Sequence, residues 1–154
     1  MTKKKKSDFT AERFFKEYHK YHLSKANVYT HFIGIPLIVV ALLGLLEKLV
    51  LVDQFMFGMP LTVATVLFVL GNVLYMRLHA MLGITMIIST LACYIIGTQF
   101  GTWTLVVLFV VGWIFQLYGH KKYEKKAPAF LDNFIHLVIG PFFIQNEILK
   151  LVKF

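Results

Sequence analysis

Residues 78–118 read LHAMLGITMIISTLACYIIGTQFGTWTLVVLFVVGWIFQLY, 41 residues without one Asp, Glu, Lys or Arg. A single helix of that length would be about 60 Å long, roughly twice the thickness of a bilayer's hydrocarbon core. The stretch therefore has to fold back on itself. Its one turn-like segment is Gly97-Thr-Gln-Phe-Gly101-Thr, because glycines and small polar residues punctuate helices. That divides the stretch into spans at about 80–96 and 103–119, and points to an all-α transmembrane helix bundle.

Working back toward the N-terminus, Pro60 opens a span at about 60–76 that Arg77-Leu78-His79 closes. Before it, Val28 to Leu46 is free of charge, and Glu47, Lys48 and Asp53 mark the far side. This predicts a first span at about 27–52 with Asn27 as its N-cap. Pro36 leaves two readings open, because proline disrupts a helix interior. Either the helix is kinked there, or the span starts at Pro36 and leaves His31 in a preceding turn. Residues 8–25 alternate aromatic and basic side chains at helical spacing and predict an amphipathic helix at the membrane surface, capped by Ser7 or Asp8. Residues 128–154 contain Gly140-Pro141 and an uncharged run too short to span, and predict interfacial helices that cap the site. The expectation is one membrane domain over 1–154, with four spans.

The charge agrees with a membrane protein. The chain is 58% hydrophobic and 16% charged, with net charge +8, where a soluble domain would carry roughly 25% charged residues. Residues 1–31 hold eight Lys/Arg against three acids, and 120–126 hold four Lys against one. Basic residues at both ends of an apolar bundle put both termini in the cytoplasm by the positive-inside rule. The expected partner of these charges is anionic lipid, not nucleic acid. The membrane is then a bacterial cytoplasmic membrane or the endoplasmic reticulum. The lysines at 3–6 are followed by no apolar signal segment, and Thr2 excludes myristoylation. Cys93, the lone cysteine, reads as a buried apolar residue.

The histidines carry the functional signal. His22 and His31 flank the start of span one, His79 ends span two, His120 ends span four, and His136 follows in the cap. All fall on the cytoplasmic level of the bundle, with His19 one turn before His22, so a metal site at that level is expected. His22 and His31 are nine residues apart. On one straight helix they would point in opposite directions, about 14 Å apart along the axis. They can share a metal only if the helix breaks between them, and Ser24–Asn27 is the expected place. Glu124 lies four residues after His120 on the same helical face, as a second ligand, an acid/base partner or a solvated mate of the neighbouring lysines. Gln116, one turn before His120, is a helix-to-helix amide or a partner of a metal-bound histidine.

Three separated motifs carry a resemblance: His22-x4-Asn27-x3-His31-x2-Gly34-Ile35-Pro36, then Gln116-x2-Gly119-His120-x3-Glu124-x3-Pro128-Ala129, then Pro141-Phe142-Phe143 with Glu147. Together they resemble the small membrane proteins that include the fungal 2-hydroxy fatty acid dioxygenase of phytosphingosine breakdown. The resemblance implies an Fe(II)-dependent dioxygenase that shortens long-chain 2-hydroxy fatty acids by one carbon with O₂. It implies His22, His31 and His120 as iron ligands, with Asn27 and Glu124 orienting them or contacting substrate. His136 is a further candidate ligand, and His79 joins on topology alone. Zinc is the substitute metal. The competing class is a non-catalytic membrane protein, structural or lipid-binding, whose histidines hold zinc or nothing. A transporter is disfavoured, since spans three and four offer almost no polar group at the midplane. Nothing in the sequence fixes the oligomeric state.

Overall fold

The structure, a computed structural model, describes residues 9–154. The expected caps Ser7 and Asp8, and the start of the first helix at residue 8, lie outside the described residues. Helix α1 (Ala11–His19) begins at Thr10, whose hydroxyl accepts from the Arg13 amide at 3.4 Å. Ala11, Phe15 and Tyr18 form its buried face. The outer face carries Glu12–Lys16 and Arg13–Glu17 pairs. The buried face does not lie on lipid. Phe15 packs on Phe142 and Phe143 of helix α6 (Ile135–Leu149), with ring centroids 5.3 and 5.7 Å away.

Helix α2 (Lys25–Glu47) runs through Pro36 without a break, and its N-cap is Ser24. The proline's open alternative thus resolves to one continuous helix, and the break between His22 and His31 falls just before Lys25. Asn27 sits inside the first turn of α2 and is not its cap. Residues 50–52, expected in the first span, belong instead to an antiparallel hairpin of β1 (Val50–Met56) and β2 (Met59–Thr62). Its turn is Phe57-Gly58, both at positive φ (52° and 75°), the backbone that two-residue hairpins require. The β-branched Val50 and Val52 suit a strand, so an apolar run that reads as helix ends as sheet, and the chain is not all-α.

Helix α3 (Val63–Leu78), α4 (Ala80–Thr98) and α5 (Thr102–Gly119) complete the bundle. Among the described residues, three helical segments are long and apolar enough to cross a membrane: Lys25–Glu47, Ala80–Thr98 and Thr102–Glu124. Helix α3 has 16 residues, about 24 Å, which falls short of a hydrocarbon core of about 30 Å. A fourth crossing is therefore not carried by helix length. Only 22% of the apolar window of α4, and of the one containing α5, is buried within the protein. Most of their surface is bare and apolar.

Helix α2 is the hub and packs against α5, α4 and α3. Its contact with α5 depends on missing side chains. A Cβ on Gly119 would stand 2.1 Å from the Thr30 hydroxyl and 2.4 Å from Asn27 Oδ1. One on Gly112 would stand 2.8 Å from the Gly34 carbonyl. Small residues let helix backbones approach this closely. The seam brings the end of α5 against the first turns of α2, which is where the histidines are.

Candidate metal centre

His22, His31 and His120 converge, with one potential ligand atom from each within 4.8 Å of the others. They come from three local structures. His22 lies in the connection between α1 and α2, His31 lies in the second turn of α2, and His120 opens a π-helical turn (His120–Glu124) after α5. Such π-turns recur at functional sites. Ring centroids are 4.6 Å apart for His22–His31, 4.7 Å for His22–His120 and 5.0 Å for His31–His120. All three residues are buried, at 2%, 1% and 3% exposure.

Hydrogen bonds decide which ring nitrogens are free. His22 Nδ1 lies 2.8 Å from the Tyr18 carbonyl, and His31 Nδ1 lies 2.9 Å from the Asn27 carbonyl. A carbonyl only accepts, so both Nδ1 atoms carry the proton and donate. In the neutral rings both Nε2 atoms are then bare lone pairs, and these face each other at 3.0 Å. Two lone pairs at that distance repel unless a cation lies between them. A proton is opposed by burial. Desolvation, followed by the neighbouring His31, pushes the His22 imidazole down to about 2. Nitrogen ligands at about 2.0–2.1 Å from one ion, at roughly 90–110° to each other, lie about 2.8–3.4 Å apart. The donor set fits a metal ion, and neutral imidazoles suit iron, zinc or copper.

The residues behind the three histidines are equally specific. Tyr18 stacks on His22 at 3.9 Å with an interplanar angle of 6°. Glu124 Oε1 accepts from the Ser24 amide at 2.9 Å and from Asn27 Nδ2 at 3.0 Å. Ser24 caps α2 without a side-chain bond, and the first turn of α2 has no acidic residue. Glu124 thus brings a negative charge to that helix N-terminus from the far end of α5. It also holds Asn27, whose carbonyl fixes His31. Asn27 and Glu124 do not line the cavity; they stand behind His31, joined to it through the Asn27 carbonyl.

His79 and His136 stand apart from the three. His79 is the N-cap of α4, where its Nδ1 accepts from the Leu82 amide at 3.2 Å. His136 is buried in the first turn of α6 and faces the Tyr18 ring at 5.9 Å. Sequence reasoning missed Tyr18 as a site residue. Its signal was a Tyr-x3-His spacing that stacks the two rings on one face.

Below the histidines lies a cavity of about 630 Å³. Apolar side chains of α2 (Ile35, Ile38, Leu42), α3 (Leu67, Leu74) and α5 (Phe109, Trp113) form its walls, and Pro128–Phe130 with α6 cover its histidine end. From His31 to Leu43 it follows α2 for about 18 Å. Helices α3 and α5 both line it, and each packs on α2. The exposed Leu42, Leu67 and Leu70 lie along its side.

The chain is similar to known proteins over nearly its whole length. The profile of a family described as "2-hydroxy-palmitic acid dioxygenase Mpo1-like" matches residues 9–152. The 2-hydroxy-palmitic acid dioxygenase MPO1 of Saccharomyces cerevisiae is 30% identical over 137 residues, covering 86% of this chain and 75% of the yeast protein. No solved structure matches the chain. Matched almost end to end by the profile and by a relative at 30% identity, this protein is a member of the Mpo1-like family.

Proposed function

We propose that the protein is a membrane dioxygenase that holds Fe(II) on His22, His31 and His120. Its substrates would be long-chain 2-hydroxy fatty acids, each converted with O₂ to the fatty acid one carbon shorter. The balanced reaction turns R–CH(OH)–COOH and O₂ into R–COOH, CO₂ and H₂O. The observation that carries the reading is the junction of two unlike parts, a buried set of imidazoles and a long apolar cavity that ends on it. A single-chain lipid acid is likewise a polar head on an apolar tail.

When bound, iron supplies the one-electron chemistry that lets ground-state O₂ react with a closed-shell acid. The chain's own residues do the rest. Three neutral ligands leave a divalent ion's charge uncompensated in an apolar setting, and a buried charge needs a counter-charge. Glu124 is committed to the N-terminus of α2, so the substrate carboxylate takes that role. The exposed Lys121, Lys122, Lys125 and Lys126 surround this end with positive charge, which attracts anions. The walls exclude water from the tail, and each buried methylene contributes about 0.8 kcal/mol.

The membrane placement extends this reading. Helix α3 would be a fourth crossing, its short length met by local thinning of the bilayer. The basic clusters put the histidine end and both termini at the cytoplasmic face of an endoplasmic-reticulum or bacterial membrane. The tail would enter sideways from the bilayer, between α3 and α5. The rival reading, a zinc-holding lipid-binding protein, draws on the all-histidine donor set, since non-haem iron oxygenases often add a carboxylate.

The deciding measurement is metal content after anaerobic purification in detergent, for wild type and for His22→Ala and His120→Ala, followed by O₂ uptake with 2-hydroxypalmitate. Near-stoichiometric iron lost in both variants, with O₂ uptake confined to wild type, supports the dioxygenase. Zinc without O₂ uptake, even after Fe(II) is restored, transfers the site to the rival.

A further inference from the structure

Among the described residues, three buried side-chain nitrogens have no hydrogen-bond partner: His120 Nδ1, Gln116 Nε2 and His136 Nδ1. All three residues line the one cavity. An unpaired buried donor or acceptor is costly, and native proteins keep few of them. His120 belongs to the metal cluster. Gln116 and His136 are each 6% exposed and lie one step out from that cluster on different elements. Gln116 is on α5, one turn before His120. His136 is on α6, 5.9 Å from the Tyr18 ring that stacks on His22.

Farther along the cavity, Asn72 and Tyr75 are already engaged with the protein. Asn72 Nδ2 donates to the Phe68 carbonyl at 2.8 Å and to Thr90 at 3.0 Å. The Tyr75 hydroxyl donates to the Val138 carbonyl at 2.8 Å. The unpaired buried nitrogens thus lie at or next to the histidine cluster, where the polar head of a ligand belongs. A carboxamide and a neutral imidazole each offer a donor and an acceptor. A carboxylate needs only donors, whereas a hydroxyl both donates and accepts. The pair matches a hydroxyl next to a carboxylate better than a carboxylate alone.

We propose that Gln116 and His136 recognise the polar head of the acyl ligand and select 2-hydroxy acids over unsubstituted ones. The inference rests on the lipid-acid reading of the cavity and deepens it. Selection follows because an analogue without the hydroxyl leaves buried polar groups unpaired, which discriminates more strongly than apolar fit.

The test is displacement of a fluorescent fatty acid from the metal-loaded protein under anaerobic conditions, so that no turnover occurs. The competitors are 2-hydroxypalmitate and palmitate. The proteins are wild type, Gln116→Met, Gln116→Glu and His136→Leu, with metal content recorded for each. Wild type is expected to prefer the hydroxy acid about tenfold or more. Gln116→Met and His136→Leu should lose most of that preference while keeping palmitate binding and wild-type metal content. Gln116→Glu keeps size and polarity but presents a negative charge to the carboxylate, so it should weaken binding of both acids. Variants that load metal and retain the wild-type preference overturn this inference alone. A wild type that binds neither acid overturns the lipid-acid reading with it.

Discussion

Glu124 shows how a single side chain can hold a site it never enters. Its carboxylate joins Ser24 and Asn27, and through the Asn27 carbonyl it sets the ring of His31. Glu124→Ala leaves an amide and a carboxamide N–H unpaired, so a loss of about 1–3 kcal/mol in stability is expected by thermal or denaturant unfolding. Metal affinity should fall about 10–100-fold, as it does when groups behind a ligand are removed. The pH dependence has a definite sign. His22 is held below its ordinary value of 6.5 by burial and then by His31. Between the folded and unfolded values the unfolded chain takes up a proton that the folded one refuses. Stability is therefore full above about pH 6.5 and falls as the pH drops below it. The metal-free protein should melt at a lower temperature at pH 5 than at pH 7.5, and His22→Gln should narrow the gap. At this scale the sequence was informative about type and level but not about partners. That three histidines could meet was legible from where the spans end. That His79 caps a helix was not, because the same position suits a ligand and a cap. Nor was the choice of Asn27 and Glu124 as supports, which depends on a hydrogen bond across 97 residues of chain.

At the level of elements, the α2–α5 seam decides whether the ligands meet. Gly119→Ala would drive a methyl group into Thr30 and Asn27. Overpacking of this kind costs about 1–3 kcal/mol. Because Asn27 and His120 adjoin the contact, the variant should also load less metal. Gly101→Ala, which meets nothing within 4 Å, is the matched control and should load like wild type. Metal analysis beside a melting curve compares the two. The helical character of the chain was legible in its long uncharged runs. The hairpin was hidden, because Val50-Leu51-Val52 continues the apolar run of α2 and only Phe57-Gly58 hints at a turn. The buried face of α1 was visible as a pattern, but its partner was not. An aromatic stripe looks the same whether it meets lipid or, as here, Phe142 and Phe143.

For the molecule as a whole, the main fact is that it keeps its cavity inside and its apolar surface outside. The cavity was not legible in the sequence at all, since it is made of what four helices leave unfilled. Gly71 lines it, and a Cβ there would meet nothing within 4 Å. Gly71→Leu should therefore fold normally and shorten the space for a tail. Each displaced methylene costs about 0.8 kcal/mol, roughly a fourfold loss in affinity. The preference among 2-hydroxy acids of graded length should move toward shorter chains, as competition binding would show. The separation of the three ligands along the chain has a consequence for how the protein is made. His22 and His31 leave the ribosome early, and His120 follows His31 by 89 residues. At roughly 5–20 residues per second, it emerges about 4–18 s later. Through that interval the nascent chain offers two of the three clustered histidines and no finished cage. On the proposed reading, a metal would be held by all three histidines only once α5 is complete, so the site would close late in synthesis.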